Sequence, residues 1–445
     1  MTAVRGTHAP ANVFNDALTF EQKLYRADIT ASLAHAEMLG TCNIISKEEA
    51  KTIQDALQGI LSDIESGKLN IEGADNIHVF VEEQVIKRIG QTGKKLLIAR
   101  SHNDQEATVL RLYVRESCER SIALFKALVE TLVLRAKEGA KYLMPGFTNL
   151  NKTQPITCGQ YFNAYSEMFL RDMERFSDCH RRANVMPLGS AALAGTSYPI
   201  DRELTKVLLG FDEISENSLD AVSDRDFVAD YLFAASLAMA HLSRLCEDIL
   251  LYTSEEFGYF KLPDEATDFS QTKISSLPAR VRGRAGSMYG HLTAILTALK
   301  GLPLAYQSDL EDKQGFFDAE QTLCSCLAVC TALLENITLN VNRMYEGASA
   351  GTAGDVTDYL CKKGMPLDDA QAVTKRLVND CIQENKTLLM LTLDEFKKES
   401  ALFEEDILSA VTPRASAQAR GSVGGSSLEA VRRGINSIRR RLKRF

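Results

Sequence analysis

No stretch of this sequence approaches the roughly 18–20 apolar residues that a bilayer span needs, and its first residues lack the apolar run of a signal peptide. Cysteine is too dilute for a disulfide framework: ten in 445 residues read as reduced thiols of a cytoplasmic protein. Cys324, Cys326 and Cys330 lie close together, but on a helix they share no good face and no histidine completes a tetrahedral set. No metal site is therefore expected. Positive charge is not in excess either. With 51 Lys and Arg against 59 Asp and Glu, the net charge is −8, which argues against a general nucleic-acid binder. Strand-like alternation is scarce, and neither Gly nor Pro interrupts residues 94–138, 211–257 or 316–346.

What is present is helical periodicity. Leu110, Val114, Ile122, Phe125, Leu128, Leu132 and Ala136 trace one apolar stripe. Runs of about 30–40 residues, spanning about 45–60 Å at 1.5 Å per residue, predict an all-α protein built on a long antiparallel helix bundle. In residues 282–317, RGRAGSMYGHLTAILTALKGLPLAYQSDLEDKQGFF, Met288, Leu292, Ile295, Leu296 and Leu299 give an apolar face expected in the core. Gly301 and Pro303 stop that helix, and the acidic segment after it reads as surface. At the C-terminus, VRRGINSIRRRLKRF (431–445) sets Val431, Ile435, Ile438, Leu442 and Phe445 on one face among arginines and lysine. That pattern fits either a frayed, solvated terminus or a helix touching an anionic membrane or nucleic acid.

Several stretches carry a resemblance. KGLPLAYQSDLEDK, MPGFTNLNKTQP (144–155), PLGSAALAGTSYPIDR (187–202) and ENSLDAVSDRDF (216–227) closely resemble motifs of the argininosuccinate lyases, in the fumarase and aspartase superfamily. FEQKLYRADITASLAHAEML resembles that family's first helix. GADNIHVFVEEQ keeps His78 and Glu82 of a family segment, and TDYLCKKGMPLDDAQ with TPRASAQARGSVGGSS resembles its last domain. The resemblance runs from about residue 20 to about residue 430. It implies a small N-terminal helical domain (1–99), a central long-helix bundle (100–346) and a C-terminal helical domain with a basic tail (347–445). It also implies a homotetramer whose sites form where three subunits meet, with no cofactor and no metal.

The reaction so implied is β-elimination of a succinyl adduct to fumarate and an amine. A base takes the proton beside a carboxylate, an acid protonates the leaving nitrogen, and preformed donors stabilise the dianionic intermediate. On these motifs Ser32, Asn103, Thr148, Gln154, Lys273, Tyr306 and Lys313 stand at substrate-binding positions. Four positions depart from the pattern. Histidine of the family's THLQ is Asn149, which can hydrogen-bond a carboxylate but cannot shuttle a proton. An arginine of the SRNDQ loop is His102, which lacks the planar fork. The catalytic loop, LPDEATDFSQTKISSLPARVRG, is about four residues short and has lost its Gly-Ser-Ser triplet, leaving Ser270, Ser275 or Ser276 to stand in as base. The glutamine of the family's DLQEDK is missing after Tyr306. Three readings stay open: argininosuccinate cleavage with a replacement base, a carbon–nitrogen lyase repurposed for another succinyl adduct or related amino acid, or an inactive homologue that serves as a scaffold or as the partner of an active paralogue.

Overall fold

The computed structural model describes residues 17–263, 276–306, 313–349 and 351–445. Helices dominate, and the strands among the described residues form three short two-stranded pairs. The fold is all-α, as the periodicity predicts. His102–Glu138 is one helix of 37 residues, with Leu110, Val114, Phe125, Leu128, Leu132 and Ala136 buried along its stripe.

The other two uninterrupted runs are broken, for a shared reason. Asn217 caps a short helix, Ser218–Ser223, by accepting from the amides of Leu219 and Asp220. The backbone turns extended at Asp224 before Asp226–Thr253 begins. Likewise Gln314–Asn336 ends where Thr338–Leu339 pairs with Phe260–Lys261, and Asn340 caps Val341–Ala348. Asn and Asp side chains compete for backbone amides and end helices without glycine or proline. Gln314–Asn336 also corrects the expectation about membrane-length runs, since it is long and apolar enough to cross a bilayer. Phe317, Leu323, Leu327 and Cys330 on it are nonetheless buried in the protein, as on a core helix.

The chain divides into two compact units, each discontinuous in sequence. The first comprises Met1–Ile122, Glu174–Leu237 and Ala285–Cys324; the second comprises Ala123–Met173, Ala238–Arg284 and Ser325–Phe445. In the first, Tyr25–Thr41 packs on Lys47–Glu65, whose start is fixed by a reciprocal Ser46–Glu49 capping box. In the second, Val356, Leu360, Leu377, Phe396, Phe403 and Ile407 form a C-terminal core. There Phe403 stacks on Tyr359 at 5.8 Å and meets Phe396 at 5.1 Å.

Two expectations about apolar faces are corrected. The Leu277–Leu299 helix buries Met288 but leaves Tyr289 and Leu296 about half exposed, so its apolar face is not wholly core. The basic tail is neither frayed nor free to enter a bilayer. Ser427 caps an ordered helix, Leu428–Leu442, whose Val431, Ile435, Ile438 and Leu442 are buried in the second unit. Asn163 donates to the Val431 carbonyl at 3.3 Å and Arg441 pairs with Glu167. The apolar face is spent on packing, and arginines, with Glu429 and Asn436, point outward.

Phe403→Ala removes a fully buried ring from the C-terminal core. It is expected to cost about 3–5 kcal/mol, read as a lower urea midpoint with far-ultraviolet helicity kept in native buffer.

Candidate active site

In the first unit the SHNDQ stretch opens the long helix, and Asp104 organises it. One Asp104 oxygen accepts from the Ser101 amide at 2.9 Å; the other accepts from the amides of Gly189 and Ala191 at 2.9 and 2.8 Å. Gly189 (φ 95°) and Ala191 (φ 50°) are both left-handed, a conformation that aims two nearby amides at one carboxylate. Burial raises the Asp104 pKa against these hydrogen bonds. Asn103, expected to face substrate, donates to the Ala192 carbonyl at 2.8 Å. The 187–202 motif is thereby clamped to the helix start.

Behind this lies a buried polar relay. His78 meets Asp28 at 2.6 Å, and Gln105 donates to the same Asp28 oxygen at 2.8 Å. Burial alone would raise the Asp28 pKa, but His78, Arg100 and Gln105 outweigh it and hold the carboxylate below its usual range. Arg100 donates to the Ser32 hydroxyl and to Glu82, each at 3.0 Å. Ser32 is fully buried and already engaged. His35 sits beside this arginine, its Nε2 donating to the Ile98 carbonyl at 2.9 Å. Burial, then repulsion from Arg100, lowers its pKa to about 3.

Lys313 is buried, its ammonium 2.7 Å from Glu21 and 3.1 Å from Glu106. Both partners lie far from it in sequence. The carboxylates overcome burial and raise its pKa, so the group is a permanent cation. It borders a cavity of about 90 Å³ that Arg225, His291, Ile295 and Phe316 also line. Tyr306, by contrast, is 56% exposed.

The second unit holds Thr148, Asn149 and Gln154 on a β-hairpin that sequence periodicity did not reveal. Leu143–Thr148 pairs with Asn151–Thr157, with Thr148 opposite Asn151. The two residues between them, Asn149 (φ 50°) and Leu150 (φ 63°), are both left-handed. That is the signature of a two-residue type I′ turn, whose first position favours Asn. Asn149 therefore has a backbone reason to be there, and its amide adds no titratable group. Pro145 faces Pro155 across the ladder; these prolines, with the turn-forming Asn149, were the available signal for the hairpin. Beside it a cleft of about 520 Å³ is lined by Thr148, Gln154, Tyr161, Asp248 and Tyr252. Burial raises the Asp248 pKa, and the Tyr165 hydroxyl donates to it at 2.6 Å.

Thus Ser32, Asn103, Tyr306 and Lys313 belong to the first unit, and Thr148, Asn149 and Gln154 to the second. Ser276 precedes the Leu277–Leu299 helix. Ser270, Lys273 and Ser275 lie outside the described residues. Glu21, Glu106 and Arg225 went unread as site residues because two carboxylates on helices and a guanidinium between two helices look like surface charge in sequence. The one available signal was a charged Glu106 directly after the NDQ motif.

A lyase family model matches residues 6–270, and an argininosuccinate lyase C-terminal model matches residues 351–418. The argininosuccinate lyase of Desulforamulus reducens is 46% identical over 440 residues, covering 97% of this chain and 96% of that one. The argininosuccinate lyase of Moorella thermoacetica is 45% identical over 434 residues, covering 96% and 94%. The chain belongs to the argininosuccinate lyase family. Among solved structures, EDDS lyase in complex with formate superposes with a TM-score of 0.84 at 26% identity, over 99% of this chain and 91% of that one. The 3-carboxy-cis,cis-muconate lactonizing enzyme of Pseudomonas putida shares the fold, with a TM-score of 0.74 at 17% identity over 94% of each chain.

Two measurements check the local arguments. A left-handed leucine is strained, so Leu150→Gly is expected to raise stability by roughly 0.5–1 kcal/mol, seen as a higher urea midpoint. His35 has a folded pKa of about 3 against 6.5 for the free side chain, so between these values the unfolded chain binds more protons. Stability must fall as pH drops through that window, by up to about 1.4 kcal/mol per pH unit. Urea midpoints of His35→Gln at several pH values should show a shallower slope between pH 6.5 and 3.

Proposed function

We propose that this chain is a carbon–nitrogen lyase that cleaves argininosuccinate to fumarate and arginine. The observation that carries the reading is Lys313, a permanent cation held beside a cavity, in a chain 46% identical to an argininosuccinate lyase over nearly its whole length. In this reading Lys313 faces a substrate carboxylate, and Thr148, Gln154, Tyr306 and Lys273 help to position the adduct. Ser32 and Asn103 act as supports, being engaged with Arg100 and the Ala192 carbonyl. A serine among Ser270, Ser275 and Ser276 removes the proton beside the carboxylate. The electron pair of the broken carbon–hydrogen bond forms the new double bond as the carbon–nitrogen pair leaves on nitrogen, which takes up a proton from water. Asn149 hydrogen-bonds a carboxylate and transfers no proton, so turnover is slow. The assembly is a homotetramer of cytoplasmic subunits, and the exposed flank at Tyr289 and Leu296 is the kind of apolar surface a subunit interface covers. The division at residues 99/100 and 346/347 is part of the same proposal.

Two observations favour a second reading, an inactive partner of an active paralogue: Asn149 fits its turn as a structural residue, and Lys313 is already neutralised by two carboxylates. The experiment is fumarate production from argininosuccinate, followed by ultraviolet absorbance. Turnover that Lys313→Ala abolishes supports the lyase. Asn149→His should then raise the rate about tenfold or more, given the 10²–10⁴-fold typical of a positioned proton-transfer group. No turnover at saturating substrate rejects the lyase for this adduct. Mixed tetramers formed on co-expression with an active argininosuccinate lyase would then support the second reading.

A further inference from the structure

Four ionisable side chains meet in the interior of the first unit. Glu21, Glu106, Arg225 and Lys313 are each at most 7% exposed, and their formal charges cancel. They are not equivalent. The second oxygen of Glu21 receives the Ile77 amide at 3.3 Å, which ties that carboxylate to a helix start. Glu106 has no such backbone hydrogen bond among the described residues, and both cations converge on its Oε1. The Lys313 ammonium lies at 3.1 Å and Nη2 of Arg225 at 3.6 Å. Arg225 spends Nη1 on the carbonyls of Val222 and Asp224, at 3.2 and 2.8 Å, while its Nε and Nη2 have no hydrogen-bond partner. Lys313 and Arg225 both line the cavity of about 90 Å³, whose other walls include Leu110, Val228, Leu232 and Phe316. Two buried donors with spare capacity at an apolar cavity form an anion site, and Glu106 already lies between them.

We infer that Glu106 is an internal carboxylate that occupies the anion position between Lys313 and Arg225 and so determines how strongly this cavity takes a dicarboxylate. The inference rests on the reading that Lys313 faces a substrate carboxylate. The electrostatics give its direction. A fumarate dianion entering beside a neutral cluster brings uncompensated negative charge into a poorly solvated interior. Once Glu106 is neutral, the same cluster carries one spare positive charge and two free donors, so the anion replaces a lost partner. Attraction to Lys313 and Arg225 keeps the Glu106 pKa below its usual range despite burial, so the block is in force at neutral pH. His78 and His102 are also charge-coupled to this group: His78 helps to lower the Glu106 pKa, and Glu106 raises that of His102 against burial.

The test uses full-length native protein, Glu106→Gln and Glu106→Met, with fumarate as the probe in isothermal titration. Both variants are expected to bind fumarate at least tenfold more tightly than native protein, and adding Lys313→Met should abolish the gain. Equal or weaker binding in both variants overturns the inference, as does a gain that survives Lys313→Met. Removing one member of a buried ion pair is destabilising, so urea midpoints are measured with and without fumarate. A fumarate-dependent rise larger in the variants than in native protein supports the inference; equal rises overturn it. Argininosuccinate turnover by native protein reports on the lyase reading alone. Tighter fumarate binding without turnover therefore upholds the role of Glu106 while rejecting the lyase reading.

Discussion

A charge taken out of water must meet its opposite, and the interior of the first unit is arranged by that requirement. Lys313, Arg225, Arg100 and the Asp28–His78 pair all lie away from solvent. Breaking such a pair typically costs 3–5 kcal/mol, far more than an exposed ion pair contributes. The helices bearing Asp28, His78 and Gln105 are held in register because Asp28 accepts from both partners. The segment before the Gln314–Asn336 helix is anchored because Lys313 must reach Glu21, 292 positions away. Packing gives the bundle its stability, and this pairing restricts which arrangements of the bundle are admissible.

Backbone geometry imposes a second constraint, on the left-handed positions of the loops. Asn149 lies where a two-residue turn demands a left-handed backbone, which asparagine tolerates better than most residues. The hairpin is thus served by an asparagine at its first turn position. Ala191 shows the opposite relation: it accepts a left-handed backbone that is costly for alanine. In return its amide reaches the buried Asp104 carboxylate. One position relaxes a turn, and the other stores strain to keep a loop in place.

The apolar faces follow from what each helix has available to cover it. The tail helix, Leu428–Leu442, finds a partner in the second unit, so its aliphatic stripe is buried and its arginines remain in water. The Leu277–Leu299 helix has more apolar surface than one chain covers, and Tyr289 and Leu296 stay exposed. Both helices show the same periodicity in sequence. Periodicity reports that a helix has an apolar side, not what will lie against it.

By itself the sequence determined the all-α class, the stripe of the His102–Glu138 helix and the family motifs. These depend on local spacing and residue order, which read directly along the chain. The tertiary structure alone decided that Lys313 pairs with Glu21 and Glu106, both far from it in sequence. It also decided that Ser32 and Asn103 are engaged by Arg100 and the Ala192 carbonyl, and that the TNLN motif turns a hairpin. The physical reason is that a charge or donor is satisfied by whatever folding brings within about 3 Å, and that distance has no counterpart in sequence spacing.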